Sequence, residues 1–398
     1  MISISTLILD DESVIIDHVK SLAFKRTASS TGETEATAYI ENELEKEKIN
    51  SKFEYFSWAG PTRVLMRTAY LIILVYLLLA RVILVLAIYF VIKYLFERTR
   101  NMTLIKKESS KNIFAEILAN KKGKNRPLVI FSAHYDSISA NIPYKVQWVM
   151  FLIYRLIIGF YVIVIIVFSL GLTLDFLSII LLPNSIIIII AIISLIGILI
   201  SVPILYLVFN EKPSAGSIDN ASGVSILIEL AKHFQRNPLE KMDILFIWPG
   251  AEEWGLKGSK KFCRKHIFEL NEKYDLNRSV LINIDMVGSY IGLLDRVGVF
   301  RRRLNKNLND VFEATAKNLN IPLTRYNKLI SPKSDHRSFR SSFKRARKKL
   351  QIVYFHSAND TKYIHSPKDS PDKCSAKNLN GCLNICYQTL RSLDLRVD

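Results

Sequence analysis

The 398-residue sequence predicts an α/β protein: a mixed, largely parallel sheet sandwiched by helices, with two inserted transmembrane helical hairpins. Short apolar runs such as DILFIW (243–248) and VLINI (280–284) are typical of buried parallel strands, and segments with helical periodicity lie between such runs. Two far longer apolar blocks, 64–97 and 146–209, interrupt this alternation. Apolar residues make up 49% of the chain, which exceeds ordinary globular usage and indicates contact with lipid.

The predicted elements of the globular part follow in a simple order. An amphipathic helix around TEATAYIENELEKEK precedes strands in KFEYFSW and PLVIFSAHYD, and a helix over GVSILIELAKHF precedes the two apolar strands already named. Because the sequence on both sides of each apolar block must rejoin one sheet, each block is expected to cross the membrane an even number of times. We therefore predict a globular domain built from 1–62, 99–145 and 211–398, with membrane insertions at 63–98 and 146–210.

The second apolar block has the length of a transmembrane hairpin. Asp175 and Pro183 break it into spans near 148–173 and 185–209, each long enough at about 1.5 Å per residue for a hydrocarbon core of about 30 Å. The first block fits either two short spans or a re-entrant segment. Lys and Arg lie on the globular side of the spans, and the far loop at 174–184 has none. This asymmetry predicts a multi-pass integral membrane protein whose globular domain faces the cytoplasm.

Charge and cysteine content restrict the class of partner. The net charge is +18, with basic runs at 121–124 and 337–350. No pattern of stacking aromatics or recognition helix accompanies these runs, so we expect no nucleic-acid partner and favour the lipid bilayer. The N-terminus lacks the pattern of a secretory signal, and four cysteines are too few for a disulfide framework.

Acidic residues and histidines follow the predicted strands, where an apolar run ends or a loop begins. Zinc at catalytic centres takes nitrogen and oxygen ligands, and two zinc ions need about three ligands each with one shared. The motifs with this property are AHYDS at 133–137, SIDNASG at 217–223, AEEWG at 251–255, NIDMVG at 283–288, SDHRSF at 334–339 and YIHSPKD at 363–369. They supply a sufficient set of ligands, with Glu252 left over: His134, Asp219, Glu253, Asp285 and His365.

The order and the residues of these motifs resemble those of the co-catalytic zinc exopeptidase family, which includes bacterial leucyl aminopeptidases and the glutamate carboxypeptidases. Matching segments run from RTASSTGETEATAYI near the start to IHSPKD near the end, so the resemblance covers the whole globular part. It implies a peptidase domain with two zinc ions bridged by Asp219. His134 and Asp285 would complete one zinc site, and Glu253 and His365 would complete the other.

The resemblance also implies roles for residues around the ligands. Glu252 would be the general base that takes a proton from the attacking water, and a cis peptide bond would follow the bridging aspartate. Asp136 is similar to the family's carboxylate beside the site, and Asp369 would orient the ligand histidine of the last motif. Asp335 and His336 match a family loop near the cleft.

The chain is therefore expected to be a membrane-embedded zinc-dependent exopeptidase, and in particular an aminopeptidase, that acts on peptides or proteins. One alternative is a glutaminyl cyclase-like transferase that uses a single zinc, and another is a catalytically inactive receptor-like scaffold. Retention of every ligand and of Glu252 argues against the scaffold. The side-chain preference is not predicted, and the choice between Tyr354 and Tyr363 as the group that polarises the substrate carbonyl stays open.

Overall fold

The structure is a computed structural model, and it describes residues 13–59, 107–140, 143–179 and 213–397 together with isolated positions within 69–94 and 183–199. Elements are labelled in chain order within these residues. The helices are α1 (Ser13–Ser21), α2 (Thr31–Glu45), α3 (Tyr144–Phe176), α4 (Ser222–Arg236), α5 (Lys257–Lys273), α6 (Leu308–Asn318), α7 (His336–Arg345) and α8 (Ala376–Asp394). The strands are β1 (Ser51–Ala59), β2 (Lys107–Ile117), β3 (Leu128–Ser132), β4 (Asp243–Trp248), β5 (Val280–Ile284), β6 (Gly292–Val297), β7 (Arg302–Arg303), β8 (Thr324–Lys328) and β9 (Gln351–Phe355).

Local sequence signals account for where several helices begin and end. The hydroxyl of Ser30 accepts a hydrogen bond from the backbone N–H of Glu33 at the start of α2, and Ser375 does the same for Asn378 at the start of α8. Serine is favoured at this position because its side chain satisfies an N–H that has no partner within the helix. Helix α4 ends two residues before Pro238, whose ring cannot continue a helix.

The strands form one nine-stranded mixed sheet. Its order is β1-β2-β4-β3-β5-β9-β6-β7, and β8 pairs with β6. The four central strands β4, β3, β5 and β9 are parallel, whereas β2 joins β4 and β6 joins β9 in antiparallel fashion. Phe131 of β3 lies opposite both Phe246 of β4 and Ile282 of β5, so the central strands end almost level with one another. The predicted mixed α/β sheet is confirmed.

The central strands are buried on both faces because helices cover each side. Side chains alternate along a strand, so Leu128 and Ile130 of β3 point to one face and Val129 and Phe131 to the other. The first face packs against α5 and α7 in a core that includes Phe262. The opposite side is occupied by α4, which is buried over almost its full length and packs against α1 and α8.

The chain divides into two compact units. The first comprises Met1–Phe56, Ser109–Ser139 and Lys212–Asp398, and the second comprises Ser57–Glu108 and Ala140–Glu211. The sheet strands β3 to β9 all belong to the first unit. The domain boundaries given by the sequence analysis stay a prediction.

The predicted membrane spans are not found. Among the described residues, no helix combines the length and the apolar character that a membrane crossing needs. The prediction of a multi-pass integral membrane protein with a cytoplasmic catalytic domain is therefore wrong. The two hairpins and the bilayer as a partner are likewise not supported. The first apolar block, 64–97, and the span near 185–209 consist mainly of residues outside the described part of the chain.

The error has a physical cause in what hydropathy measures. A hydropathy sum counts apolar residues but does not show what covers them. Helix α3 comes from the second apolar block, and many of its large apolar side chains are exposed, although it buries Gln147, Phe168, Ser169 and Leu172. The last three lie on one side of the helix, at the spacing of one turn.

Candidate metal centre

The metal-ligand candidates meet at the edge where the four central strands end. His134 lies two residues after β3, Glu252 and Glu253 lie in the loop after β4, and Asp285 follows β5 directly. The carboxyl ends of parallel strands share one edge of a sheet, which is where open α/β sheets bind ligands. All four residues are brought together as the sequence predicted.

Two further candidates reach this edge from loops. Asp219 lies in a tight turn, Ser217–Ala221, that leads into α4, and His365 lies in the loop between β9 and α8. The peptide bond between Asp219 and Asn220 is cis, as the resemblance implied. His365 has a positive φ of 58°, a backbone conformation that is uncommon outside glycine.

The ligand atoms form two groups that share one carboxylate. Nε2 of His134 lies 3.1 Å from Oδ1 of Asp219 and 3.5 Å from Oδ1 of Asp285. Nε2 of His365 lies 3.1 Å from Oε1 of Glu253 and 3.5 Å from Oδ2 of Asp219. Within each group the ligand atoms lie no more than 4.8 Å apart. Because its two oxygens face different groups, Asp219 has the geometry of a bridging ligand.

The chemistry of these groups fits zinc. Each group offers one imidazole nitrogen and two carboxylate oxygens, which are ligands that zinc takes at catalytic sites. Oε1 of Glu253 is buried and lacks a hydrogen-bond partner among the described residues, although Nε2 of His365 is close. Buried charges in proteins are either paired or bound to metal. Three carboxylates set against two imidazoles therefore leave negative charge for a cation to neutralise.

Asp136 orients two of the loops that carry the ligands. Nδ1 of His134 lies 3.1 Å from the backbone carbonyl of Asp136, and since a carbonyl only accepts, Nδ1 carries the proton and Nε2 presents its lone pair. The Asp136 carboxylate also accepts hydrogen bonds from the backbone N–H groups of Glu252 (2.9 Å) and Glu253 (3.2 Å). One side chain thus fixes the loop after β3 to the loop after β4.

Asp369 and Asn220 hold the turn that carries the bridging aspartate. Asp369 accepts hydrogen bonds from the backbone N–H groups of Ile218 (2.6 Å) and Asp219 (3.3 Å). Asn220 donates to the carbonyl of Ile284 at 3.0 Å, at the end of the strand that precedes Asp285. The sequence analysis assigned Asp369 to the ligand histidine, whereas these hydrogen bonds assign it to Asp219. The role of Asn220 was missed.

Comparison with known proteins finds a family that resembles part of this chain. Residues 201–390 match the model of peptidase family M28. The matched residues are just under half of the chain, so the chain resembles family M28 over this part. The prediction that it is related to the zinc metallopeptidases is confirmed.

Individual proteins also resemble this chain. Aminopeptidase YwaD of Bacillus subtilis (strain 168) is 44% identical over 77 residues, which are 19% of this chain and only 16% of YwaD. BSAP, a zinc aminopeptidase from Bacillus subtilis, has a similar fold, with a TM-score of 0.55 and 14% identity over 98% of this chain and 96% of BSAP. A glutaminyl cyclase from an Acidobacteriales bacterium gives a TM-score of 0.57 and 14% identity over 99% of this chain and 98% of the cyclase. Because both solved structures are only 14% identical to this chain, they show a shared fold and nothing about activity.

Arg26 supports the candidate metal centre, and its role was not predicted from the sequence. Its side chain is fully buried, and the guanidinium donates to the carbonyls of Tyr135, Ala215 and Gly216, each at 2.8 Å. Its backbone N–H donates to the hydroxyl of Ser137 at 3.0 Å. These partners flank His134 and precede Asp219, so one arginine connects the two segments that carry those ligands. The signal was present in the motif RTASSTGE, which begins with this arginine.

Glu33 of the same motif supports the candidate metal centre through Tyr135. The Tyr135 hydroxyl donates to the Glu33 carboxylate at 2.7 Å, and both side chains are buried. The loop after β4 passes close by, because a Cβ atom at Gly250 would lie 2.6 Å from that hydroxyl and 2.5 Å from the carbonyl of Lys111. Only glycine lets the glutamate-bearing loop approach so closely.

An aromatic layer lies behind Asp285. The Tyr354 hydroxyl donates to Oδ2 of Asp285 at 3.2 Å, and the Tyr354 ring lies 4.5 Å from that of His336. Asp335, next to His336, is fully buried, and burial together with the nearby carboxylates raises its pKa to about 7. The structure therefore places both residues of the SDH motif near the centre. A catalytic role for either of them stays a prediction.

The two histidines of the centre have raised pKa values. Burial lowers the pKa of His134, but the carboxylates of Asp136, Asp219 and Asp285 outweigh this and raise it well above the usual value. Burial also lowers the pKa of His365, but Glu253 and Asp219 outweigh this and raise that pKa well above the usual value. Protons therefore compete with a metal ion for both imidazoles.

Proposed function

We propose that the protein is a zinc-dependent exopeptidase, specifically an aminopeptidase, that hydrolyses peptide bonds with an activated water and Glu252 as the general base. The observation that supports this most is the pair of ligand groups that share Asp219 through its two oxygens. Such a pair fits two zinc ions, one with His134 and Asp285 and the other with Glu253 and His365. The proposal also draws on the M28 match and on the printed names of YwaD and BSAP.

The chain's own residues supply positioning and proton transfer. When bound, the two zinc ions would polarise the scissile carbonyl and lower the pKa of a water molecule toward neutrality. Glu252 is buried beside the ligand groups, and its backbone is fixed by Asp136, so its carboxylate can be held near that water. Burial, with Glu253, Asp335 and Asp285 adding to it, raises the pKa of Glu252 well above the usual value. A base with a raised pKa can take the proton of the water and return it to the leaving amine near neutral pH.

Two tyrosines, Tyr354 and Tyr363, are candidates for positioning the substrate carbonyl. The Tyr354 hydroxyl donates a hydrogen bond to Asp285, so Tyr354 lies in the wall of the centre. It is therefore the better placed of the two predicted tyrosines to contact the substrate carbonyl. Burial raises its pKa well above the usual value, which keeps the hydroxyl protonated as a donor. We assign Tyr354 to holding Asp285, with a secondary role toward the substrate carbonyl.

A glutaminyl cyclase-like transferase is the second candidate, because the cyclase fold matches this chain as well as the aminopeptidase fold does. A cyclase of the predicted kind would use one zinc ion. The complete second ligand group, with Glu253 and His365 held 3.1 Å apart, favours the two-zinc exopeptidase.

Zinc stoichiometry and product analysis of the purified full chain test the choice. The proposal expects close to two zinc ions per chain, release of free amino acids from the N-terminus of peptides, and loss of both zinc and activity after chelation. A single zinc with conversion of N-terminal glutamine to pyroglutamate would establish the cyclase instead. Zinc-loaded protein that releases no amino acid from a broad panel of peptides would refute the exopeptidase.

A further inference from the structure

A groove of about 570 Å³ lies along the outer face of α7, outside the metal-ligand groups. One wall is the exposed side of α7, and the other is formed by the loops that follow β6 and β8. Its volume is within the range of ordinary ligand sites. We call it the basic groove and define it by six of its lining residues: Leu329, Ile330, His336, Arg337, Arg340 and Lys344.

The pairing of β6 with β8 builds the loop wall. The two strands are parallel neighbours in which Val297 lies opposite Lys328, so the loops that follow them leave the sheet side by side. The backbone N–H of Gly298 donates to the carbonyl of Lys328 at 3.0 Å and ties the loops together. The wall facing α7 is therefore fixed by backbone hydrogen bonds on a rigid sheet.

The helix wall carries three cations on one face. Arg337, Arg340 and Lys344 follow the spacing of successive helical turns and are exposed, whereas Phe339 and Phe343 on the opposite side are buried in the core. None of the described residues that line the groove is acidic. A concave surface with one sign of charge concentrates ligands of the opposite sign.

The loop wall adds exposed apolar surface. Leu329 and Ile330 line the groove with 67% and 53% of their surface exposed. Val299 and Phe300, in the adjoining loop after β6, are 78% and 82% exposed. Large apolar side chains grouped on neighbouring loops mark interaction sites more often than chance exposure does. The groove thus offers cationic contacts on one wall and apolar contacts on the other.

The near end of the groove adjoins the metal centre. His336 lines the groove, is buried, and has no hydrogen-bond partner for Nδ1 within the described part of the chain. Its ring packs against Tyr354, whose hydroxyl donates to Asp285. One aromatic ring therefore separates the groove from a metal-ligand candidate, and the groove continues along α7 for about 12 Å, given the helical rise over the eight residues to Lys344.

We propose that the basic groove binds an acidic segment of the peptide substrate, with Asp or Glu side chains against Arg337, Arg340 and Lys344 and with apolar groups against Leu329 and Ile330. This inference rests on the proposed peptidase function and names a substrate class for it. Peptides carry carboxylates and apolar groups together, as the two walls require. A nucleic acid fits less well, because among the described lining residues no phenylalanine, tyrosine or tryptophan is available for base stacking.

Matched peptides and a charge-matched control variant test the proposal. Two substrates share their N-terminal residues and differ beyond them, one with a Glu/Asp segment and the other with the isosteric Gln/Asn segment. The test variant is Arg340→Glu with Lys344→Glu. The control is Arg345→Glu with Lys349→Glu, which makes the same charge change at exposed residues close to the groove but outside its lining.

The readout is the ratio of kcat/KM for the acidic peptide to that for the neutral one. We expect a ratio of about ten in the wild type at low salt, which corresponds to a few exposed ion pairs. It should fall to about one in the groove variant, persist in the control, and shrink at high salt, where charges are screened within about 3 Å. A wild-type ratio near one, or an equal fall in both variants, would overturn the proposal.

A binding measurement separates this proposal from the proposed function. Fluorescence anisotropy of a labelled acidic peptide on the full chain requires no hydrolysis. If the wild type cleaves nothing but binds the acidic peptide, and only the groove variant loses this binding, the exopeptidase assignment fails while the groove assignment stands. If the acidic and the neutral peptide bind equally, or if inorganic phosphate binds in the groove while neither peptide does, the groove assignment fails.

Discussion

Replacing Arg26 by lysine should weaken zinc binding without removing any ligand. The guanidinium donates to the carbonyls of Tyr135, Ala215 and Gly216 at 2.8 Å each, and also to those of Leu22 and Phe24. A lysine ammonium is a compact point donor and cannot span carbonyls that a planar fork reaches from three nitrogens. At least two buried carbonyls would then lack a donor.

The magnitude follows from those lost hydrogen bonds. An unsatisfied buried polar group costs about 1–3 kcal/mol, so two of them should lower the free energy of unfolding by roughly 2–6 kcal/mol. Because the orphaned carbonyls lie in the segments of His134 and Asp219, part of this strain should appear as displaced ligands. Changes to residues that orient metal ligands typically weaken metal affinity about 10- to 100-fold. We expect a zinc affinity in that range for Arg26→Lys.

Arg391 provides the matched control. It also donates to two backbone carbonyls, those of Pro238 (2.9 Å) and Asn237 (2.8 Å), which lie away from the ligand-bearing segments. The assay is competition for zinc with a chromogenic chelator, with urea denaturation run in parallel. Arg391→Lys should lose stability and keep its zinc affinity, whereas Arg26→Lys should lose both. Wild-type zinc affinity in folded Arg26→Lys would refute the positioning role.

Three further outcomes are expected. Glu252→Gln should retain zinc but lose activity by about a hundredfold to ten-thousandfold, because the amide cannot accept a proton; turnover close to that of the wild type would contradict this. Asp219→Ala should release zinc from both sites, and an unchanged zinc content by elemental analysis would exclude the bridge. Against the opposing effect of burial, hydrogen bonds from His18 and Lys232 lower the pKa of Glu229 from 4.5 to about 2. The ionised Glu229 therefore stabilises the folded state, by at most on the order of 3 kcal/mol. This stabilisation is complete above the pKa that Glu229 has in the unfolded chain, and it is lost as pH falls from about 5 toward 2. Urea unfolding of the chelated protein should therefore show that Glu229→Gln is less stable than the wild type near neutral pH, with the difference shrinking in acid; a constant difference would rule the linkage out.

The ligand candidates that follow strands, His134, Glu253 and Asp285, could be predicted to meet because their positions depend on local pattern. An apolar run of five or six residues marks a strand, and the residue after it must emerge at the sheet edge. Asp285, directly after β5, needs no further information to be placed there. Histidine and carboxylate at several such ends then converge, because parallel strands end together. The same reasoning placed Glu252 and Glu253 correctly after β4.

The supporting residues could not be predicted because their contacts are distant in sequence. Arg26 reaches Gly216, which is 190 positions away, and no periodicity indicates that an arginine is buried rather than exposed. Asn220 bonds to Ile284 across 64 positions, and Asp369 bonds to Ile218 across 151. Charged and amide residues are mostly exposed in general, so their burial here is an exception that only the tertiary structure shows.

The contacts of Arg26 also explain how ligands on both sides of a long insertion stay aligned. The chain leaves the first compact unit after Ser139, soon after His134, and re-enters it at 212, shortly before Asp219. The backbone N–H of Ser214 donates to the hydroxyl of Ser139 at 2.9 Å, which closes the two ends against each other. Arg26 then joins the carbonyls of Tyr135 and Gly216 from the N-terminal part of the same unit. The entropy cost of closing a loop grows only slowly with its length. The segment 140–211 can therefore vary in length and composition while the ligand geometry is kept. All six residues assigned to zinc binding and proton transfer lie in the first unit, so these tied chain ends hold together the segments that carry His134 and Asp219.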